Sequence, residues 1–259
     1  MNYFTNDAAA TRYARGRPFF HPLVVARISS FLNLRAPLRR ALDVACGTGH
    51  STLALQQLAA GVIGTDVSDG MLREAREAQR TRDASSILYV KAPAESLPFA
   101  DASFDLITVS MAFHWFDRAR FLSEAHRLLR PDAWLVVYNN FFFGTMQENP
   151  EFAHWHRNTY LARFPSPHRH SQPLTHAAAA EHGFRLSEPE NYTNDVRFSL
   201  EELAHYFTTQ SNIIAALEQA TEPLDSIHAW LVSSLAPLFP APTCTFNFGG
   251  YIWYMQKAQ

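Results

Sequence analysis

The residues with the clearest chemical potential sit together in LDVACGTGHST, positions 42 to 52. Asp43 stands inside an apolar run, and Ala45, Gly47 and Gly49 follow at alternate positions. Small residues between a strand and a helix start leave room where a side chain would block a ligand, and the first amides of the helix are free to meet a polar group. Asp66 follows Asp43 by 23 residues and closes a second apolar run, placed to accept hydrogen bonds from a ribose diol. A nucleoside-containing cofactor fits that pair of features. A dinucleotide site wants G-x-G-x-x-G, but Thr52 stands where the third glycine would allow close helix packing. A carboxylate within the first strand, Asp43, is also unexpected for a dinucleotide, and suits a ligand that carries a cationic amino group and a sulfonium.

Other residue types offer further chemistry. His114, in the stretch FHWF, is a candidate general base; its competing role is packing between Phe113 and Trp115, which is the commoner fate of a histidine in such surroundings. Asn139 and Asn140 end an apolar run, where amides orient a carboxylate, hydroxyl or amine, or satisfy strand-end backbone groups. Tyr138, Phe141, Phe142, Phe143 and Trp155 offer faces to a sulfonium, worth about 0.5–2 kcal/mol each when desolvated, although core packing accounts for most of them. His154 and His156, with His168 and His170, form two H-x-H pairs; such a pair alone is nonspecific, and no metal is expected.

These groups need a frame. Apolar runs at 41–45, 61–65, 87–91, 105–109 and 134–139 alternate with helical periodicity at 50–59, 68–80 and 118–129, the pattern of an α/β doubly wound, mostly parallel sheet. Asp117 is placed to cap the last helix and Pro131 to end it. Residues 141–183 carry aromatics, histidines and prolines without sustained period and are expected to form short helices and loops of a cap. The sheet resumes near 184–190, residues 199–235 read as helical, and TCTFNFGGYIWYMQ closes the sheet as a bent strand or as a hairpin turning on Gly249 and Gly250. The organisation expected is a single domain over 1–259, with its core at about 38–140, 184–198 and 243–259 and its cap at about 1–37, 141–183 and 199–242.

Composition narrows the partners. With 47% hydrophobic and 18% charged residues the 259-residue chain has the make-up of a globular protein, and no apolar run approaches the roughly 20 residues a membrane span requires. A net charge of −2 gives no general attraction for nucleic acid. Two cysteines are too few for a disulfide framework, and the N-terminal stretch has no exporting apolar segment, so a cytoplasmic location is expected.

Three motifs in order carry a resemblance. LDVACGTGHS, GTDVSDGML (64–72) and AESLPFADASFDLITVSMAFHWFD (94–117) are similar to the first, second and third-to-fourth-strand motifs of the class I S-adenosylmethionine-dependent methyltransferases. The A-E-x-L-P-F and H-W-F-D elements, with the N-terminal YARGRPFFHP, most resemble the small-molecule branch that includes trans-aconitate methyltransferases. The resemblance implies a Rossmann-like, seven-stranded sheet with a helical cap, and S-adenosylmethionine as cofactor. It implies that Ala45, Gly47 and Gly49 line the methionine part, Asp66 holds the ribose, Val67 and Met71 flank the adenine, Ala94 and Glu95 meet the adenine edge, and Ser110 lies near the amino acid end. Tyr13 and Arg17 would be lid contacts, with Arg17 gripping a carboxylate or else standing solvated. The chain departs from the family with Pro93 where many relatives have aspartate, Asp132-Ala133 for a usual glycine pair, and Ala45 for a common glycine. The activity implied is methyl transfer to a small molecule, with His114 and Asn139 as candidate catalytic groups. An S-adenosylmethionine cyclase releasing methylthioadenosine, or a non-catalytic binder, stands as an alternative.

Overall fold

A computed structural model describes residues 7–82, 86–167, 173–219 and 222–258; His168 and His170 lie outside them. The elements in chain order are α1 (Asp7–Gly16), α2 (His21–Phe31), β1 (Leu38–Val44), α3 (His50–Leu55), β2 (Ala59–Asp66), α4 (Asp69–Thr81), β3 (Ile87–Lys91), β4 (Phe104–Ser110), α5 (Arg118–Leu128) and β5 (Leu129–Tyr138). Then follow β6 (Phe141–Met146), α6 (Glu151–Trp155), a π-helical turn His156–Tyr160, α7 (Leu161–Arg163), α8 (His176–Glu181), β7 (Phe184–Leu186), β8 (Glu190–Ser199), α9 (Leu200–Thr208), α10 (Ser211–Glu218), α11 (Leu224–Leu235) and β9 (Thr243–Lys257). The chain divides into two compact units: a sheet unit of residues 19–139, 169–191 and 251–259, and an aromatic unit of residues 1–18, 140–168 and 192–250.

The sheet unit carries the expected α/β architecture. Its strands lie in the order β3-β2-β1-β4-β5-β9-β7. β1 to β5 are parallel, whereas β9 from Tyr251 onward runs antiparallel to β5 and pairs antiparallel with β7. The strand order reverses between β1 and β4, where Val44 faces Val109, so their carboxyl ends open side by side. Both faces of these strands are covered: Leu42, Val44, Leu106, Ile107 and Val109 are buried, which is why β1 and β4 read as continuous apolar runs rather than as alternating ones.

Side chains cap the helix starts, at Asp117 as the sequence proposes. The Ser68 hydroxyl accepts from Met71 N at the start of α4, and the Asp117 carboxylate accepts from Arg120 N at 3.2 Å at the start of α5. Three boundaries differ. α3 stops at Leu55 because Ala59 is already paired with Leu38. α5 stops at Leu128, before Pro131: Leu129 turns extended and pairs with Phe104, so the proline lies inside β5, where the register to β4 shifts. α2, expected in the cap, belongs to the sheet unit, because Val24, Val25 and Ile28 are buried, His21 Nδ1 lies 3.1 Å from the Tyr138 hydroxyl, and Arg27 pairs with Glu190 at 2.6 Å.

The aromatic unit corrects the expectation further. The run Phe141–Phe143, read as part of a cap of helices and loops, starts the strand β6, which pairs antiparallel with β9 through Phe141 to Gly249 and Phe142 to Phe248. Phe142 is half-buried, while Phe141 and Phe143 are exposed, as period-two geometry requires. β9 is one unbroken strand, so the hairpin alternative at Gly249-Gly250 does not form. Gly249 instead permits close approach, since a Cβ there would stand 2.4 Å from the Tyr192 carbonyl oxygen and 2.7 Å from the Phe143 ring. Phe198, Phe246 and Phe248 are buried with Phe152, Tyr160 and Phe207, which draws residues 192–198 and 243–250 into this unit and not into the sheet core assigned to them from sequence.

Candidate functional site

The β1 carboxyl end leads into a loop whose backbone is mostly left-handed. Ala45, Gly47 and Gly49 have φ of 55°, 54° and 81°. Two carboxylates hold it. Asp66, the last residue of β2, accepts from Gly47 N through Oδ2 and from Ser68 N through Oδ1, both at 2.9 Å. Burial pushes its carboxyl above the usual carboxylate range, and the backbone donors oppose the shift. Asp43 is fully buried beneath the loop, where Oδ2 accepts from Ser51 Oγ at 2.6 Å and Thr52 Oγ1 at 2.7 Å, and Oδ1 accepts from Thr108 Oγ1 at 3.0 Å. Burial raises it to about 6 against those three donors. Asp43 therefore ties α3 and β4 to β1 from within, organising the loop from beneath. Thr52, which breaks the dinucleotide pattern, is one of its partners.

The glycines divide by role. Among the described residues a Cβ on Gly47 would meet only the Met71 sulfur, at 4.0 Å, so a bound group has open space to approach the backbone. A Cβ on Gly49 would stand 2.4 Å from Tyr89 Oη and 2.9 Å from Ala75 Cβ. The absence of a side chain at Gly49 serves the packing of α3 on the sheet. Asp66 retains acceptor capacity beyond the amides of Gly47, Val67 and Ser68, because a carboxylate offers about four lone-pair sites. Beside it Val67 is 45% exposed, an apolar surface with no packing reason to face solvent, while Met71 is buried behind the loop. An open backbone edge, a carboxylate and an exposed aliphatic face in succession fit the methionine, ribose and adenine parts of an S-adenosylmethionine molecule.

The remaining predicted residues of this unit fall at the same sheet edge with differing freedom. Ala94 is buried in the core. Glu95 Oε1 accepts from Asp117 N at 3.0 Å, so one of its oxygens serves the start of α5. Ser110 ends β4 half-buried, followed by Met111 at φ 55°. His114 sits in a 3-10 turn over Phe113–Trp115, its ring 4.6 Å from that of Trp115, with Phe113 buried. Asn139 is buried and donates its backbone N–H to the Tyr251 carbonyl at 3.2 Å; its side chain also hydrogen-bonds the Tyr251 phenol, which burial holds above its ordinary pKa. Tyr251 was not singled out from sequence. It lies 112 residues after Asn139, and only the β5–β9 pairing joins them.

Tyr13 and Arg17 belong to the aromatic unit. Arg17 donates from Nη2 to the Thr209 carbonyl at 2.8 Å and stacks on the rings of Tyr13, 4.7 Å away, and Tyr206, 5.6 Å away. Its guanidinium is thus anchored to the end of α9, where a cation meets the negative end of the helix, and is not a solvated surface group. His154 hydrogen-bonds Asn158, and His156 packs against Gly144, its pKa pushed by burial down to about 4. Both cysteines are free and buried. Among the described residues no helix is long and apolar enough to cross a membrane.

Residues 42–137 match the family described as "Methyltransferase domain". An uncharacterized methyltransferase of Mycobacterium tuberculosis is 34% identical over 133 residues, 51% of this chain and 51% of that protein. The chain spans about half the length of the curated relatives it matches. Among solved structures, a putative type II methyltransferase from Anaeromyxobacter dehalogenans has a TM-score of 0.67 at 22% identity, covering 92% of this chain and 95% of that one. A Haemonchus contortus phosphoethanolamine N-methyltransferase in complex with S-adenosylhomocysteine has a TM-score of 0.56 at 18% identity, covering 98% and 58%. These likenesses show the Rossmann-like methyltransferase fold, and the segment 42–137 is similar in sequence to methyltransferase domains.

Proposed function

We propose that this protein is an S-adenosylmethionine-dependent methyltransferase that acts on a small molecule. The observation that carries the reading is the β1 loop: its backbone is fixed by Asp66 and Asp43, yet the face at Gly47 is open beside the Asp66 carboxylate and the exposed Val67. The bound cofactor would supply a methyl group already activated by its sulfonium. In this reading Asp66 holds the ribose, Val67 and Met71 bound the adenine, Ala94 and Glu95 stand at its edge, and Ala45, Gly47 and Ser110 border the amino acid part.

Methyl transfer from an activated sulfonium chiefly needs a nucleophile held in line and water kept out, so positioning dominates. Asn139 and Tyr251 form a hydrogen-bonded amide–phenol pair able to orient an acceptor, and His114 is the group we assign to take up a proton where the acceptor carries one. The net charge of −2 favours a small acceptor over a polyanion, as does the resemblance to the branch that includes trans-aconitate methyltransferases.

One assay tests the reading. Purified protein is incubated with S-adenosylmethionine, with and without a panel of small carboxylic acids, alcohols and amines, and the nucleoside products are separated by mass. S-adenosylhomocysteine forming only with an acceptor is the expected result. Methylthioadenosine without acceptor would replace methyl transfer by intramolecular cyclisation, and neither product across the panel would leave a non-catalytic binder.

A further inference from the structure

Away from the β1 loop, the aromatic unit brings together three side chains that the proposed reaction does not use. Glu201 and His205 stand four residues apart on α9 and so share one face of it. His228 comes from α11. One ligand atom from each lies within 4.8 Å of the other two, Glu201 Oε2 is 3.6 Å from His228 Nε2, and the two imidazole rings are 4.7 Å apart. We propose that Glu201, His205 and His228 bind a divalent transition-metal ion of the zinc class.

The scaffold holds the three in place for reasons of its own. Ser199 and Glu202 close a capping box at the start of α9, Glu202 N donating to Ser199 Oγ at 3.3 Å and Ser199 N to Glu202 Oε2 at 2.8 Å. Leu203, Ala204 and Phe207 of α9 are buried in one core with Ile227 and Leu231 of α11, so the two helices meet along a fixed line. His228 follows directly on the buried Ile227, and its Nε2 is shielded from solvent without a hydrogen-bond partner among the described residues. A shielded ring nitrogen aimed at a carboxylate beyond hydrogen-bond reach is a polar atom left wanting a partner.

The donor set selects the ion. Two imidazoles and one carboxylate suit zinc, cobalt, nickel and copper, whereas magnesium and calcium prefer oxygen alone. Bonds of about 2.0–2.2 Å to a tetrahedral zinc place ligand atoms about 3.4 Å apart, so the three need draw in by only about 1 Å. Glu201 and His205 are both exposed, so a shift of that size is made by side chains at the surface. Water would complete the coordination, and the ion would clamp α9 to α11.

The test uses the full chain, stripped with a chelator and titrated with zinc chloride against a chromogenic zinc indicator, with thermal melting followed in parallel. The expected result is one zinc per chain that raises the melting temperature. His205→Ala and Glu201→Gln, both exposed positions, should melt as the wild type does without metal and bind zinc at least ~100-fold more weakly, beyond the 10–100-fold that losing a mere hydrogen-bond partner of a ligand brings. Cobalt in place of zinc should give visible absorption bands in the wild type and lose them in both variants. Absence of zinc binding, or binding that both variants retain in full, overturns the proposal.

Discussion

The β1 loop and the core of the aromatic unit are both buried at their centres, yet different chemistry holds them. At the loop, the carboxylates that end β2 and stand in β1 gather backbone amides from the turns after β1 and β2 and hydroxyls from α3 and β4, and every one of those partners lies between residues 43 and 108. In the aromatic unit, Phe152, Tyr160, Phe207, Phe246 and Phe248 are packed ring against ring, from segments up to about a hundred residues apart. Hydrogen bonds are directional, so the loop is fixed atom by atom. Apolar burial is not directional, so the aromatic core fixes shape without prescribing which residue fills which space.

The largest expected break in that comparison is Phe152→Ala. The ring is fully buried between Trp155 and Phe246, and its loss should lower stability by about 3–5 kcal/mol, read from the urea midpoint. Cofactor affinity measured by calorimetry on the remaining folded protein should change far less.

Next in size is the pH response of Asp43. Its folded carboxyl titrates near 6 against about 3.8 when unfolded, so between those values the folded chain holds the proton more tightly and stability falls as pH rises, by up to about 3 kcal/mol. Buried His21, depressed from 6.5 to about 3, acts oppositely across the whole of that window, so the comparison must be made between variants. Melting curves from pH 4 to 7 should show Asp43→Asn gaining on the wild type as pH rises. A constant gap between the two would remove the assignment.

Asp66→Ala should weaken S-adenosylmethionine binding by about 1–3 kcal/mol, the range for a lost charged hydrogen-bond partner, with titration calorimetry as the readout. Unchanged affinity would take Asp66 out of the site. The finest contrast separates two glycines. Gly49→Ala should destabilise by about 1–3 kcal/mol through left-handed strain and the clash with Tyr89, and Tyr89→Phe should recover part of it by removing the nearest atom. Gly47→Ala should lose about 1 kcal/mol of stability and proportionately more cofactor affinity, because its Cβ would project into open space.

Legibility followed sequence distance. The Asp117 cap, Asp66 at the end of β2 and the small-residue loop were readable because each depends on a few neighbouring residues. The strand β6 was not, because Phe-Phe-Phe-Gly-Thr-Met alternates only weakly and becomes a strand by pairing with β9. The separate tasks of Gly47 and Gly49 were equally hidden, since Tyr89, which sets the second, lies 40 residues further on.

From the order of residues alone came the parallel α/β frame, its turns and caps, and the carboxylates of the first and second strands, all products of local periodicity and backbone preference. Tertiary structure decided which of those carboxylates is sealed inside, which phenol meets Asn139, and that Glu201, His205 and His228 converge. Such choices depend on burial and on contacts between distant segments, and neither is a property of any short stretch of chain.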